Sequence, residues 1–538
     1  MRTRNLLRSL AIVAVLALAL PALPTAAQQA DFTTYVSIGD SLTMGIMDAC
    51  LVEHGQRDSY PAIIARQAGV AAFEQPLVKE HGLGGCMYLK SLLSPTGALD
   101  PVFGNWPSDG VPLNATLPRP YNNLGIDGFT IHDVVATNPT TPEASAAYLT
   151  LRGQGTALEQ AAGLKPPFAA LKPTFMTIWI GANEFFGAIE SATAIQCPDP
   201  PVPGCTLTSV SSINRDLDTM FNTLKAAQGG TGKGVVLNIP DPPLLPFFTT
   251  VSPVLGTWPS GLPRAGQPIY AVSNVDCTGG APLCDVPHGS YLTLVAGQYL
   301  KAGYGVPCFV FAANDPRQAN CAVYNPSTDS YVSGKPLPDN YSVNPATGAI
   351  SPGVVLTPDE FAAIRLEAQQ INTALQAKAT AAGYKIFDTR AWFDDIRTHG
   401  RTYGGLTVTT SYLGGIHSYD GAHLTSTGYA ILANDLIQFI NDTYGNSIPQ
   451  ADMYPFLFNG NTSPGGYPNP PAAAMAGPLT NEELITWAAA AFTPETWRQN
   501  LPFSFPDLSQ HRAVTGDPHG MPVSPGREVS GDGSERIH

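Results

Sequence analysis

The sequence predicts an α/β fold, a mainly parallel sheet covered by helices on both faces. Two observations carry this. Short runs rich in β-branched and aromatic residues alternate along the chain with segments of helical apolar spacing. The clearest run, Thr174–Ile180 (TFMTIWI), is nearly continuous in its apolar character, as strands buried on both faces are.

The elements follow in order. Thr33–Ile38 reads as a strand ending at Gly39, and Tyr60, Ile63, Ile64 and Ala68 give a helix with Pro61 in its first turn. The stretch from Gly69 to Pro120 is rich in Gly and Pro and is read as loops. Tyr121–Ile126 follows as a second strand, then helical segments at Ile131–Ala136 and Ala144–Ala162, the Thr174–Ile180 strand, a helix over Ile213–Ala226 and a strand at Val235–Ile239. Residues 240–352, with four cysteines and many prolines, interrupt the alternation as an insertion. Order resumes with a helix over Leu356–Ala382, opened by Thr357, Pro358, Asp359 and Glu360 as cap and acidic first turn. A strand at Lys385–Phe387 and a last helix at Thr427–Asn441 complete the pattern. Beyond Ile448 it decays; Asn481–Phe492 reads as a docking helix, and Pro502–His538 as disordered.

Composition sets further bounds. Charged residues are 13% of the 538, about half the ~25% usual for soluble domains, while 52 Gly and 50 Pro indicate long ordered loops. A net charge of -14 argues against a nucleic-acid partner, because phosphate contacts need clustered cations. Arg2, Arg4 and Arg8 precede the apolar run Leu10–Leu20, followed by Pro21 and the small residues Thr25, Ala26 and Ala27; residues 1–27 read as a secretory signal peptide, and the chain as secreted or periplasmic. The run is shorter than the ~20 residues a bilayer requires, and no transmembrane segment is expected elsewhere. Eight cysteines suit an oxidising compartment. They fall in couples, Cys50 and Cys86, Cys197 and Cys205, Cys277 and Cys284, Cys308 and Cys321, which favours disulfides between sequence neighbours among the 105 connectivities possible. Zinc is disfavoured, since neither Cys-x-x-Cys nor His-Glu-x-x-His occurs.

Chemistry is sought at the carboxyl ends of strands, where open α/β sheets bind ligands. The first strand runs into Gly39-Asp40-Ser41-Leu42, placing Ser41 there. Alone, such a serine reads more readily as a helix cap. Asp420-Gly421-Ala422-His423, just before the last helix, supplies a base and an acid to orient it. Asp285-Val286-Pro287-His288 has the same spacing but lies in the insertion and precedes no helix. An acyl-transfer serine also needs oxyanion donors; Gly128, after the second strand, offers a backbone N–H, and Asn183, in Gly181-Ala182-Asn183-Glu184 after the Trp179 strand, a side-chain amide.

Together these four segments resemble the blocks of the SGNH, or GDSL-type, serine hydrolases in order and in strand-end placement. The resemblance covers the chain from about Thr33 to Asn441, with the insertion outside the motifs. It implies a three-layer α/β/α sandwich with a flavodoxin-like sheet over residues 28–447, and an extension over 448–538. It further implies Ser41 as nucleophile, Asp420 and His423 as the rest of a triad, and the Ser41 N–H, Gly128 and Asn183 as the oxyanion hole. Glu184 stands where the family pattern has Asp.

Other motifs are set aside. Gly229-Gly230-Thr231-Gly232-Lys233-Gly234 resembles a phosphate loop but precedes a strand and has Gly234 where Ser or Thr is needed, so it is read as a turn. The Gly-x-Ser-x-Gly elbow is missing. His417 is read as a loop histidine satisfied by backbone. The function expected is an esterase or lipase acting on small-molecule or lipid esters through an acyl-Ser41 intermediate, with no cofactor and no metal. Polysaccharide O-deacetylation and a non-catalytic binding protein are the alternatives. Phe247, Phe248, Tyr291 and Leu294 are expected to pack within the insertion or to line an acyl pocket.

Overall fold

The structure is a computed structural model that describes residues 29–97, 99–140, 145–163, 171–201, 205–242, 245–338, 342–343, 350–351, 353–459 and 479–492. Residues 1–27, expected as a signal peptide, and the tail Pro502–His538, expected as disordered, lie outside them. The elements that position the site are β1 (Tyr35–Gly39), α1 (Ser41–Met44), α2 (Tyr60–Gln67), β2 (Asn123–Gly125), α3 (Ile131–Ala136), β3 (Phe175–Trp179), α4 (Asn183–Ser191), α5 (Val210–Ala227), β4 (Gly234–Leu237), α6 (Pro358–Ala382), β5 (Lys385–Phe387), α7 (Thr389–His399), α8 (Ser426–Tyr444) and α9 (Asn481–Ala491).

The five strands form one sheet in the order β2-β1-β3-β4-β5, every neighbour pair parallel. Ile38 stands opposite Leu124 on one side and Ile178 on the other, and Val236 opposite Ile386. Because successive side chains alternate across a strand, Val36, Ile38, Met176, Ile178 and Val236 join one apolar cluster. Tyr35, Phe175, Trp179, Val235 and Leu237 join another. Residues of α3, α4, α5 and α6 pack in the first cluster, and residues of α2, α7 and α8 in the second.

Local chemistry explains the borders. Thr357 and Glu360 cap α6 reciprocally, and Gly383 ends it in a left-handed turn. The segment expected as one helix over Ala144–Ala162 is two, Ala146–Leu151 and Ala157–Ala162. Arg152 takes a left-handed conformation, and Thr156 opens a new capping box with Glu159. The stretch Gly69–Pro120, expected as loops, contains an antiparallel hairpin of Met87–Leu93 with Leu99–Asn105. Its apolar signal is diluted by Lys90, Pro101 and Gly104, yet Leu89 and Phe103 are buried. Helices α4 and α7 and the Arg401–Tyr403/Leu406–Val408 hairpin are additions to the sequence reading. The Gly229–Gly232 segment is a turn leading into β4, as expected.

All four cysteine couples form disulfides between sequence neighbours: Cys50–Cys86, Cys197–Cys205, Cys277–Cys284 and Cys308–Cys321. Among the described residues no helix is long and apolar enough to cross a membrane. Among the described residues no strand of the 240–352 insertion joins the five-stranded sheet. It is nonetheless bound to the fold: the Phe247 N–H donates to the Gly421 carbonyl at 3.1 Å and the Leu294 N–H to the Phe247 carbonyl at 2.9 Å. Phe247, Phe248 and Leu294 are buried in the first cluster and Tyr291 stacks on Phe361 at 4.2 Å, so all four pack within the protein.

Helix α9, the last among the described residues, docks where the insertion meets the hairpin. Gly297 comes so close that a β-carbon there would lie 2.6 Å from Ala488 Cβ, and fully buried Trp487 meets Phe103 edge to face at 5.9 Å. Its indole N–H has no hydrogen-bond partner among the described residues, so its contribution is packing. Trp487→Ala is expected to lower unfolding free energy by about 3 to 5 kcal/mol in urea titration, as truncation of large aromatics in cores does. Trp487→Phe, which keeps most of the volume and removes the orphaned donor, is expected to cost under half as much.

Candidate active site

In a sheet of order 2-1-3-4-5 the chain leaves β1 toward one edge and returns on its other side at β3, which opens a crevice at the carboxyl ends of these two strands. Ser41 follows β1 and Asn183 follows β3. The Asp40 N–H donates to the Trp179 carbonyl at 3.3 Å, tying the two strand ends together. Only glycine fits at position 39, since a β-carbon there would lie 2.4 Å from the Trp179 carbonyl and closer still to Thr43. Asp40 caps the short helix α1 by accepting from the Leu42 N–H. Ser41 is therefore the first residue of a helix, where N–H groups have no intrahelical acceptor.

Ser41, His423 and Asp420 form a continuous chain of hydrogen bonds. His423 Nε2 lies 2.9 Å from Ser41 Oγ, and His423 Nδ1 lies 2.9 Å from Asp420 Oδ2. With Nδ1–H donated to the carboxylate, Nε2 accepts from the serine hydroxyl, the arrangement a general base needs to take that proton. The remaining valences of Asp420 are met by backbone. Oδ1 accepts from the N–H groups of Ala422 and His423 at 2.9 and 2.8 Å, and Oδ2 accepts from the Ala49 N–H at 2.9 Å.

Ala49 was not visible as a site residue in the sequence. It and Asp48 hold left-handed φ angles of 60° and 53°, and the carboxylate of Asp48 accepts from the Tyr419 N–H at 3.0 Å while its own N–H donates to Ser418 Oγ at 3.1 Å. The adjoining half-cystine Cys50, bonded to Cys86, is the one sequence signal for this loop.

Electrostatics follow from burial and neighbours. Burial pushes the Asp420 carboxyl up, but His423 and the N–H donors outweigh it and hold the group well below the usual range, so it stays ionised. Burial pulls His423 down, and the charge and hydrogen bond of Asp420, then Asp127 and Asp40, outweigh it and leave it above 6.5. Burial raises Asp40 to about 7 and Asp127 to about 6. Three buried carboxyl groups thus surround one imidazole.

The expected oxyanion donors lie on adjoining loops. The Ile126 N–H donates to the Gly39 carbonyl at 3.0 Å, laying the 126–129 turn against the end of β1. Gly128 has φ 74°, a conformation that favours glycine, and its N–H faces the Asp127 carboxyl. Asn183 Nδ2 donates to the Phe129 carbonyl at 2.9 Å with one of its two hydrogens. Ser41, Asn183 and His423 line a common cavity of about 40 Å³ with Leu42, Phe186 and Leu245.

The second Asp-x-x-His pair is not a dyad. Asp285 is held by Arg264 and by the Tyr331 hydroxyl, while His288 stacks on Tyr270 at 4.1 Å. His417 is buried, as a loop histidine facing backbone: the main chain of Ala422 and His423 lies against its ring nitrogens, in weak hydrogen-bond geometry, and the ring stacks on Phe393 at 5.4 Å. Among the described residues no three His, Cys, Asp or Glu side chains gather into a set suited to a metal ion. No protein-family model, curated protein or solved structure matches the chain.

Burial lowers His417 from 6.5 to about 4. A folded-state value below the unfolded one means that its contribution is complete above pH 6.5 and is lost as pH falls toward 4. His417→Leu is expected to flatten the stability curve across this interval by up to about 1.4 kcal/mol per pH unit, read from urea midpoints. An unchanged slope would contradict the neutral buried ring.

Proposed function

We propose that the chain is an exported serine esterase of the SGNH type, built on a three-layer α/β/α sandwich with a flavodoxin-like sheet, and that it hydrolyses short-chain acyl esters. One observation carries this reading: Ser41, His423 and Asp420 are linked at 2.9 Å each at the carboxyl end of β1. The strand order β2-β1-β3-β4-β5 and the clusters on its two faces support the fold assignment. Four disulfides and the N-terminal apolar run support export.

In this reading His423 takes the Ser41 proton as Oγ attacks the ester carbonyl, and Asp420 stabilises the imidazolium that forms. Negative charge on the carbonyl oxygen is met by the Ser41 N–H and the second hydrogen of Asn183 Nδ2, and by the Gly128 N–H once it turns from the Asp127 carboxyl. His423 then protonates the leaving alcohol, and water brought in through the same base releases the acid from Ser41. The acyl group enters the cavity lined by Leu42, Phe185, Phe186, Ile239, Pro240 and Leu245, whose volume of about 40 Å³ holds only a few waters. That volume supports short acyl chains, with acetyl groups on a polysaccharide among the candidate substrates.

Ser41→Ala is expected to fold normally and to lose at least ~10³ in turnover of nitrophenyl acetate, because the covalent route disappears. A fluorophosphonate probe is expected to label Ser41 in the parent protein; no labelling and no Ser41-dependent turnover would move the assignment to a binding protein. Across nitrophenyl esters from acetyl to palmitoyl, kcat/KM is expected to peak at the short end, and a steady rise to palmitoyl would replace the short-chain reading with a lipid one.

Asn183→Ala is expected to lower kcat by about 10² to 10³ with a smaller change in KM. The base form of His423 is required, so kcat/KM is expected to fall as pH drops through a value above 6.5. Asp127→Asn removes a charge that raises that value and is expected to move the acid limb to lower pH; an unmoved limb counts against the carboxylate cluster.

A further inference from the structure

The third sequence block departs from the family pattern at Glu184, and the structure gives that residue a defined task. Glu184 is 1% exposed, and its Oε1 accepts from the Ile131 N–H at 2.6 Å. Its neighbour Asn183 donates to the Phe129 carbonyl at 2.9 Å. Two consecutive residues at the start of α4 therefore grip the same three-residue turn, one donating to it and the other accepting from it. Ile131 is the first residue of α3, so its N–H lacks an intrahelical acceptor. The neighbouring N-cap donors are taken up locally by the Thr130–Asp133 capping box, which leaves the Ile131 N–H to Glu184. The gripped turn is joined directly to Gly128.

We propose that Glu184 is a positioning residue that fixes the Gly128 N–H and the Asn183 amide as one unit, an inference that rests on the esterase reading of the site. Glu367 on α6, 1% exposed, faces this arrangement: burial first, and the proximity of Glu184 second, raise it to about 8, so that it is a neutral acid at pH 7. Glu184 acts through its neighbours and touches no substrate atom. A shift of the turn by a fraction of an ångström is enough to matter, since misplacement by ~1 Å costs about 10²-fold in rate.

The test combines turnover of nitrophenyl acetate with hydrogen exchange of the 126–132 segment in the full chain. Glu184→Ala is expected to lower kcat by about 10 to 100-fold, to change KM by less than about threefold and to speed exchange of the segment. Glu184→Gln keeps an oxygen for the Ile131 N–H and is expected to stay within about threefold of the parent in both. Glu184→Asp, which keeps the carboxyl group but shortens the reach, is expected to resemble the Ala variant and serves if that variant does not fold. Adding Asn183→Ala to Glu184→Ala is expected to cost less than Asn183→Ala alone, as for coupled groups. Parent-like kcat in Glu184→Ala, or full additivity in the cycle, overturns the inference while leaving the esterase reading intact. If the parent shows no Ser41-dependent turnover, that reading falls, and exchange alone then decides: protection lost in Glu184→Ala and kept in Glu184→Gln supports the gripped turn, and unchanged protection sinks it.

Discussion

Burying the Asp420 carboxylate at 1% exposure constrains most of what surrounds it, because an ionised group removed from water must find its hydrogen bonds within the protein or take up a proton instead. Four donors converge on it, from Ala49, Ala422 and both the backbone and the ring of His423. Each has structural consequences. The tight turn that presents Ala422 and His423 puts Gly421 at φ 72° and leads directly into α8. The Ala49 donor requires two successive left-handed residues, and the loop that holds them is closed by Cys50–Cys86 and by Asp48 bonding to Tyr419. A strained loop, a disulfide and a helix entry thus share one electrostatic cause.

The sheet contributes position rather than chemistry. Parallel pairing of β1 with β3 in register sets Gly39 beside Trp179, and the loops that follow deliver Ser41 and Asn183 to the same crevice. Helices on the two sides bury separate apolar clusters, so the strand ends are held from both faces. The described residues of the 240–352 insertion add no strand to this sheet, but its first residues line the cavity and Phe247 binds the Gly421 carbonyl. It therefore belongs to the wall of the site as well as to the periphery.

Much of this was legible from residues. The β-branched runs at Thr33–Ile38 and Thr174–Ile180 lie on β1 and β3, and Thr357 with Glu360 marks the start of α6. Neighbouring half-cystines pair because short loops keep them close. Ser41, His423 and Asp420, which the family resemblance grouped, lie within hydrogen-bond distance along one chain of contacts. What stayed hidden depends on tertiary context. The left-handed Asp48 and Ala49 carry no glycine to announce the turn, and the Met87–Asn105 hairpin hides its apolar face among Lys90, Pro101 and Gly104. Glu184 reads as a mere substitution until Ile131 is seen to need an acceptor.

Three of the four hydrogen bonds on Asp420 come from main-chain N–H groups, which every residue except proline possesses. These bonds themselves therefore place no demand on the side chains at positions 49 and 422, although burial and the left-handed backbone keep position 49 small. The demand for particular residues falls instead on few places: the acid itself, the imidazole, the serine, and the glycine at 39 that the Trp179 carbonyl leaves no room to replace. A centre wired in this way places little information in its sequence and much in its chain path, so lineages carrying it can diverge until only short, widely spaced blocks are shared.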